Sequence, residues 1–510
     1  MKRLNEVLKD WEAVIGLEIH TELTTLDTKM FCNCKLSHDD PPNTNVCPVC
    51  LGMPGALPVP NKKAIQSIVM AGLATNCEIQ KHSTFYRKHY FYPDMSKNFQ
   101  TTQGSVAFCM HGHLRLNVTG DGAKERPVWE DMSSDGSEEI KREKDGSYQV
   151  PIRIQRIHME EDAAKMVHEG GEEGRISGAS ESFIDYNRCG TPLIELVTEP
   201  DLRTPEEARL FMEKLQQTFK TLGISDCSME SGSMRCDGNI SLRRRGTKEL
   251  GTKTEMKNIN SFKSLHDALE FEICRQAEVL EEGGVIYQET RHWEPSRKCT
   301  IVMRVKETAD DYRLMPDPDL APFDLTDDFI EECHSKIPEL PDAKCKRYEK
   351  DYGLKSADAQ QLAGDPEVSA FFEEALDGAK KVIPTIANVM VNLVPSYNKL
   401  MAKQVRTISE LLAADQITFA QAREVLADID GTDEDPEKVV DAQGMRQVSD
   451  DSALEPIVEE VLGRCTDQVN QYHDGNKKVI GYLVGPCMKA SKGRGNPKRF
   501  NELLRSHLEA

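Results

Sequence analysis

Four cysteines near the start of the chain have the spacing of metal ligands. Cys32-x-Cys34 and Cys47-Pro48-Val49-Cys50 are separated by twelve residues rich in turn formers. Zinc takes four thiolates at the corners of a tetrahedron, and two short knuckles joined by a loop supply them. The alternative is four reduced, buried thiols. A closed four-cysteine site leaves no coordination position for a substrate, so its role would be structural.

A second group consists of acids spaced for a harder cation. In Gly16-Leu17-Glu18-Ile19-His20 the alternation puts Glu18 and His20 on one face of a strand. Ile157-His158-Met159-Glu160-Glu161-Asp162 sets three acids at a strand end, whereas Pro192-Leu193-Ile194-Glu195 and Thr254-Glu255-Met256-Lys257 each embed one acid among apolar residues. An acid so placed is costly to bury unless it is paired or bound to a metal. Magnesium prefers oxygen donors and accepts one or two carboxylates together with substrate phosphates. Each acid alone is compatible with a solvent-facing position; four in strand contexts point to a metal–nucleotide site.

Cations and aromatics add to this. Phe85-Tyr86-Arg87-Lys88-His89-Tyr90-Phe91-Tyr92-Pro93-Asp94 interleaves the two types. Such a segment suits base stacking with phosphate contact, or equally an aromatic core strand with basic outward faces. Asp185-Tyr186-Asn187-Arg188-x-Gly190-x-Pro192 has the turn chemistry to present Asn187 and Arg188 beside a backbone bend. The sequence contains no GxxxxGK[ST], GxGxxG or GxSxG motif. It also lacks the serine- and glycine-rich tract with a partner lysine that an amidase nucleophile would use. Any ATP chemistry would therefore need a fold without a P-loop.

The elements that must position these residues follow from length and pattern. The chain has 510 residues, enough for about three domains. Its 38% hydrophobic and 29% charged residues describe a globular protein. No apolar run reaches the ~18 residues of a membrane span, and the acid-containing start resembles neither a signal nor a transit peptide, so a cytoplasmic location is expected. Fifteen cysteines, an odd number, suit a reducing compartment. The net charge of −21 argues against a protein that coats nucleic acid nonspecifically. Residues 476–510 nevertheless hold eight basic side chains against two acidic ones, a surplus of six that is either a solvated helical face or a docking arm for a polyanion.

Alternating runs such as Ile152–Ile157 and Gly238–Arg243 predict strands, and Thr204-Pro205-Glu206-Glu207 predicts a capped helix whose stripe is Phe211, Leu215 and Phe219. The first part of the chain thus reads as α+β with a mostly antiparallel sheet. Gly120–Tyr148 reads as a polar surface insertion between strands. Helical patterns, including Val368–Leu376 and Ile386–Leu400, dominate from about residue 325. The expected domains are 1–300, 301–405 and 406–510.

Taken together, GLEIHTEL, FCNCK, CPVCLGMPGALPVPN, FYRKHYFYPDMSKNFQ, RIHMEEDAAK, DYNRCGTPLIELVTEPD, SMRCDGNISLR, TEMKNINSF, DYRLMPDPDL and LVGPCMKASKGRGNP span the chain nearly end to end. In these motifs it resembles the B subunits of the aspartyl/glutamyl-tRNA amidotransferases. The resemblance implies a glutamine synthetase-like catalytic cradle over 1–300, a helical domain over 301–405 and an all-α YqeY-like, tRNA-binding tail over 406–510. It implies ATP-dependent phosphorylation of the side-chain carboxylate of Glu-tRNA(Gln) or Asp-tRNA(Asn). Amidation would follow, with ammonia supplied by the amidase (A) partner in a heterotrimer completed by a small (C) partner. By motif position, His20, Glu161 and Glu195 would ligate magnesium, and Glu18 and Glu255 would be further acids of the ATP–magnesium site. Lys97 would contact phosphate, as would Arg188, Arg235 and Lys257. Cys32, Cys34, Cys47 and Cys50 would hold structural zinc near the tRNA acceptor end. Ala164 and Ser96 stand where the family pattern has glycine and proline, Cys189 occupies a variable position, and Gly120–Tyr148 and Glu169–Ser182 lengthen loops. None of these departures removes an expected ligand. A nonenzymatic tRNA-binding scaffold and a ligase acting on a free amino acid are the alternative classes.

Overall fold

The computed structural model describes residues 2–37, 39–127, 138–170, 178–305, 312–379, 381–396, 399–447, 450–491 and 494–509. Parts of the two expected insertions (128–137 and 171–177) and Lys492 of the basic tail lie outside the described residues.

Period-2 alternation makes the strands. They are β1 (Trp11–Glu22), β2 (Glu78–Ile79), β3 (His82–Ser83), β4 (Phe85–His89), β5 (Phe99–Gln103), β6 (Cys109–Val118), β7 (Tyr148–Glu161) and β8 (Lys165–Glu169). The series continues with β9 (Glu181–Asp185), β10 (Pro192–Thr198), β11 (Met234–Arg244), β12 (Thr254–Ile259), β13 (Glu289–Glu294), β14 (Cys299–Val305), β15 (Met315–Pro316) and β16 (Phe323–Asp324). Nine of them form one sheet in the order β14-β13-β12-β11-β1-β10-β7-β6-β2. Every neighbour pair in it is antiparallel except β12–β13.

On β1, Ala13, Ile15, Leu17 and Ile19 are buried on one face, and helices Lys62–Ala74, Pro205–Thr221 and Phe262–Glu281 cover the apolar side of the sheet. The expected cap is present: Thr204 Oγ1 accepts the Glu207 amide with Pro205 at the first turn, and Phe211, Leu215 and Phe219 are buried. In β7 the alternation slips. Ile152 and Ile154 are buried, then Ile157 and Met159, and Gln155 is the extra residue opposite the Val197/Thr198 step of β10. This bulge reverses which face the odd-numbered residues occupy and sends His158 and Glu160 away from the apolar side.

The chain forms two compact units, 1–340 and 341–510. The division expected at 300/301 falls inside β14, and that at 405/406 falls inside the helix Ala402–Ala413. The physical reason for the first is that β14, β15 and β16 still belong to sheets of the first unit, although the sequence is turning helical around them. The helix expected to run to Leu400 spans Ile383–Asn392 and stops before Pro395, whose ring and missing N–H do not continue a helix. Among the described residues of the second unit there are two apolar clusters. One is centred on Tyr348, Phe372, Ile386 and Val425; the other, around Leu454, Leu483, Phe500 and Leu504, lies entirely beyond residue 450. Among the described residues no helix is long and apolar enough to cross a membrane.

Phe500 is fully buried at the centre of the smaller cluster. Phe500→Ala should destabilise the helices of 451–509 by about 3–5 kcal/mol. The expected readout is lost hydrogen-exchange protection in those helices, with the protection of the large sheet retained.

Candidate functional site

The polar face of the sheet gathers acids and imidazoles from its central strands. Register places His20 of β1 opposite Glu195 of β10, and Glu195 opposite His158 of β7; Glu18 lies opposite Asp237 of β11. His20 Nε2 is 3.2 Å from Glu195 Oε2 and 4.0 Å from Glu18 Oε1. His158 Nε2 is 3.3 Å from Glu160 Oε1 and 3.5 Å from Glu195 Oε2. Two ligand sets result, Glu18/His20/Glu195 and His158/Glu160/Glu195, and within each set the ligand atoms all lie within 4.8 Å of one another. An octahedral ion with oxygen donors at ~2.1 Å needs neighbouring ligands about 3.0 Å apart and opposed ones about 4.2 Å apart. The 3.2 and 4.0 Å separations from His20 Nε2 to Glu195 and Glu18 are close to those two values.

Charge compensation explains how so many acids share the face. Burial pushes Glu160 up, but the His158 hydrogen bond and charge, with Lys88, hold it down at about 2. Glu195 is also held below the usual carboxylate range, because His158 and His20 outweigh its burial. Glu18 is raised by burial and by the neighbouring Glu195. His20 is raised despite burial, through its hydrogen bond and charge pairing with Glu195. A cation bound here would replace protons as the compensating charge.

Glu161 goes elsewhere. One residue along β7 from Glu160, it leaves the strand on the other side, where its carboxylate pairs with Lys97 and accepts the Thr101 amide at 2.9 Å. His20, Glu195 and Glu18 are therefore brought together, whereas Glu161 is outside both ligand sets. His158 and Glu160, not chosen from the sequence, join instead. Their signal was the alternation Ile157/Met159 against His158/Glu160. Asp237, also not chosen, pairs with Lys257, whose Nζ lies 3.4 Å from Glu255; Glu255 also accepts the Thr290 hydroxyl at 2.8 Å. Arg235 donates to Asp162 at 2.8 Å, and the Arg188 guanidinium is braced on the Ala163 and Ala164 carbonyls at 3.0 and 3.1 Å. Each of the cations expected to meet phosphate is thus engaged by a carboxylate or carbonyl, and Arg235 lies opposite His20 in register.

The four knuckle cysteines converge as well. Their sulfurs lie within 4.8 Å of one another, with Cys47 Sγ and Cys50 Sγ 3.9 Å apart. Tetrahedral zinc at ~2.3 Å from each thiolate puts sulfurs about 3.8 Å apart, so the donor set fits a structural metal. The Cys50 thiol is pushed down to about 5 by the Cys32 hydrogen bond, against burial, with help from the Cys47 amide and the Lys29 charge. Lys29 is fully buried, its Nζ 3.7 Å from Cys50 Sγ and 3.1 Å from the Tyr186 carbonyl.

This corner is joined to the Lys97–Glu161 pair through backbone that only glycine fits. Gly52 has φ +66, and a Cβ there would fall 2.8 Å from Lys97 Cγ. Gly190, at φ +84, leaves its backbone beside Lys29, Cys50 and Glu161. Ser96 and Cys189 fill the same corner: the Ser96 hydroxyl donates to the Cys50 carbonyl at 2.7 Å and lies 3.3 Å from Cys189 Sγ.

Two outcomes follow from this geometry. Purified protein should carry one tightly held zinc per chain, and Cys47→Ser should release it and lower the melting temperature; metal analysis with thiol titration checks both. Because His20 must be neutral to bind a metal and its pKa is raised, affinity for Mg2+ or Mn2+ should increase as pH rises through and above the ordinary histidine value of about 6.5. Calorimetry across pH measures the slope, which His20→Gln should flatten.

Comparison with known proteins is in accord with this geometry. Residues 13–331 match the family model described as the GatB/GatE catalytic domain, and residues 370–508 match the one described as the GatB domain. The B subunit of the aspartyl/glutamyl-tRNA(Asn/Gln) amidotransferase of Carboxydothermus hydrogenoformans is 44% identical over 510 residues, covering 98% of this chain and 99% of the relative. The proteins of the same name from Caldicellulosiruptor saccharolyticus and Persephonella marina are each 41% identical, over 512 and 510 residues, covering 98% of this chain in both cases and 99% and 100% of the relatives.

Proposed function

We propose, for a chain that belongs to the family of aspartyl/glutamyl-tRNA(Asn/Gln) amidotransferase B subunits, that it activates the side-chain carboxylate of Glu-tRNA(Gln) or Asp-tRNA(Asn) with ATP and converts it to the amide. The observation that carries the reading is the convergence of Glu18, His20 and Glu195, with His158 and Glu160 alongside, on one face of the large sheet. A carboxylate is a poor electrophile. Transfer of the γ-phosphoryl group to one of its oxygens, with release of ADP, creates an acyl phosphate. Ammonia then attacks the carbonyl carbon and phosphate leaves. No protein nucleophile is needed in this chain, in keeping with the missing serine and cysteine motifs.

Within this reading the sheet is a glutamine synthetase-like cradle. Glu18, His20 and Glu195 hold magnesium, with Glu160 next in reach, and Glu255 and Asp237 bound the same face. When bound, the metal neutralises charge on the phosphates. His158, between Glu160 and Glu195, keeps both carboxylates ionised and aimed. Lys97, Arg235, Arg188 and Lys257 supply positive charge at the rim, and Glu161 fixes Lys97. The four-cysteine knuckle holds zinc as a brace for this rim. The basic residues of the last helices, among them Lys478, Lys489 and Arg505, meet the body of the tRNA. Ammonia comes from the amidase (A) partner in a cytoplasmic heterotrimer completed by the small (C) partner.

Glu195→Gln, and separately Glu160→Gln, should reduce amidation at least 100-fold with free ammonia as well as with glutamine, because activation itself is lost. Binding of tRNA should be unchanged. Near-normal amidation with ammonia in both variants would remove the assignment of this cluster.

A further inference from the structure

Among the described residues Lys29 is the only buried lysine. The backbone around it is fixed on three sides. Its own amide donates to the Cys34 carbonyl at 3.0 Å, the Met30 amide donates to the Gly190 carbonyl at 2.8 Å, and the Met30 carbonyl accepts the Asn61 amide at 2.8 Å. The side chain passes Gly190, where a Cβ would lie 3.5 Å from Lys29 Cδ. Its Nζ ends 3.7 Å from Cys50 Sγ and 3.1 Å from the Tyr186 carbonyl. The backbone thus ties Lys29 to the first cysteine pair, and its side chain ties it to the second.

That position is costly. A lysine stem is long enough to carry its ammonium to water, and an ammonium held away from water needs a compensating anion. Among the described residues no carboxylate pairs with Lys29, and Glu161, whose Oε2 borders the same glycine, is taken by Lys97. The sulfurs supply what is missing. Four thiolates around a divalent ion leave the centre with about two negative charges. Cys32, Cys34 and Cys47 are half-buried, so water reaches that side of the centre, whereas Cys50 is buried on the side where the ammonium sits.

We propose that Lys29 is the buried counter-charge of the four-cysteine metal centre and sets its specificity for an all-thiolate, doubly negative coordination sphere. Its contact with the Tyr186 carbonyl joins the centre to the turn that carries Arg188. The proposal rests on the reading of the four cysteines as a metal site and on no step of the reaction.

Competition with a chelator for Zn2+, in the full chain, measures the effect. Lys29→Met keeps the stem and removes the charge; Lys29→Gln keeps a donor without the charge. Both should bind Zn2+ about tenfold or more weakly than the parent. Cys34→His puts a neutral ligand in place of a thiolate. It should weaken the parent, and its cost should be about fivefold smaller in the Lys29→Met chain. The cycle cancels the cost of fitting an imidazole and leaves the interaction between the two positions. Co2+ bound to Lys29→Met should show its sulfur-to-metal charge-transfer band at longer wavelength than in the parent, because no positive charge then stabilises the sulfur electrons. Parent-like Zn2+ affinity in Lys29→Met, or costs of Lys29→Met and Cys34→His that simply add, overturns the counter-charge. So does a Lys29→Gln chain that binds as the parent does, since a donated hydrogen bond would then suffice. A parent chain that binds neither Zn2+ nor Co2+ overturns the metal reading itself, a failure seen before any variant is made.

Discussion

Carboxylates on adjacent antiparallel strands repel one another, and the large sheet tolerates several because imidazoles are interleaved with them. Glu195 is flanked by His20 on one side and His158 on the other, each a directly opposed cross-strand neighbour. Without those two rings, Glu18, Glu160 and Glu195 would be partly desolvated anions within a few ångströms, and at least one would take up a proton. With them, Glu160 and Glu195 are held below the usual carboxylate range. The same arrangement makes the face dependent on register: a one-residue slip of β10 would bury Glu195 in the apolar side and break both contacts.

The bulge at Gln155 serves that register. Upstream of it β7 presents Ile152 and Ile154 to the core; downstream the core residues are Ile157 and Met159. His158 and Glu160 reach the polar face because of that one extra residue, and Glu161 is thereby turned toward Lys97. Adjacent acids, chemically identical, acquire different work: one is held ionised near a candidate metal position, and the other anchors a lysine whose neighbour Ser96 reaches the cysteine knuckle.

The knuckle and the rim are mechanically one object. Lys29 contacts Cys50 and the Tyr186 carbonyl, Gly190 lets the turn between β9 and β10 approach closely, and Gly52 lets Lys97 lie flat against the knuckle. Four sulfurs held by one metal would fix the backbone from Phe31 to Gly52 at several points and so hold Lys97 in place. The C-terminal helices solve a separate problem with a separate core around Phe500, and part of their basic surplus is engaged in local ion pairs such as Arg499–Asp451 and Lys498–Asp415.

Local chemistry sufficed to read the cysteine knuckle, the pairing of Glu18 with His20 on one strand face, the capped helix beginning at Pro205 and the mixed strand-then-helix order, because each depends on residues a few positions apart. It did not suffice to choose between Glu160 and Glu161, or to bring in His158 and Asp237. Those choices depend on which face of the sheet each residue occupies, and a single bulge and the pairing of strands more than a hundred residues apart set that. The aromatic segment was ambiguous for the same reason: burial by Phe31, Phe108 and Phe323 makes its first half core, and absence of such cover leaves Phe91 exposed. Spacing along the chain determined what each residue type could do; only the tertiary fold, through register and burial, decided which of them act together.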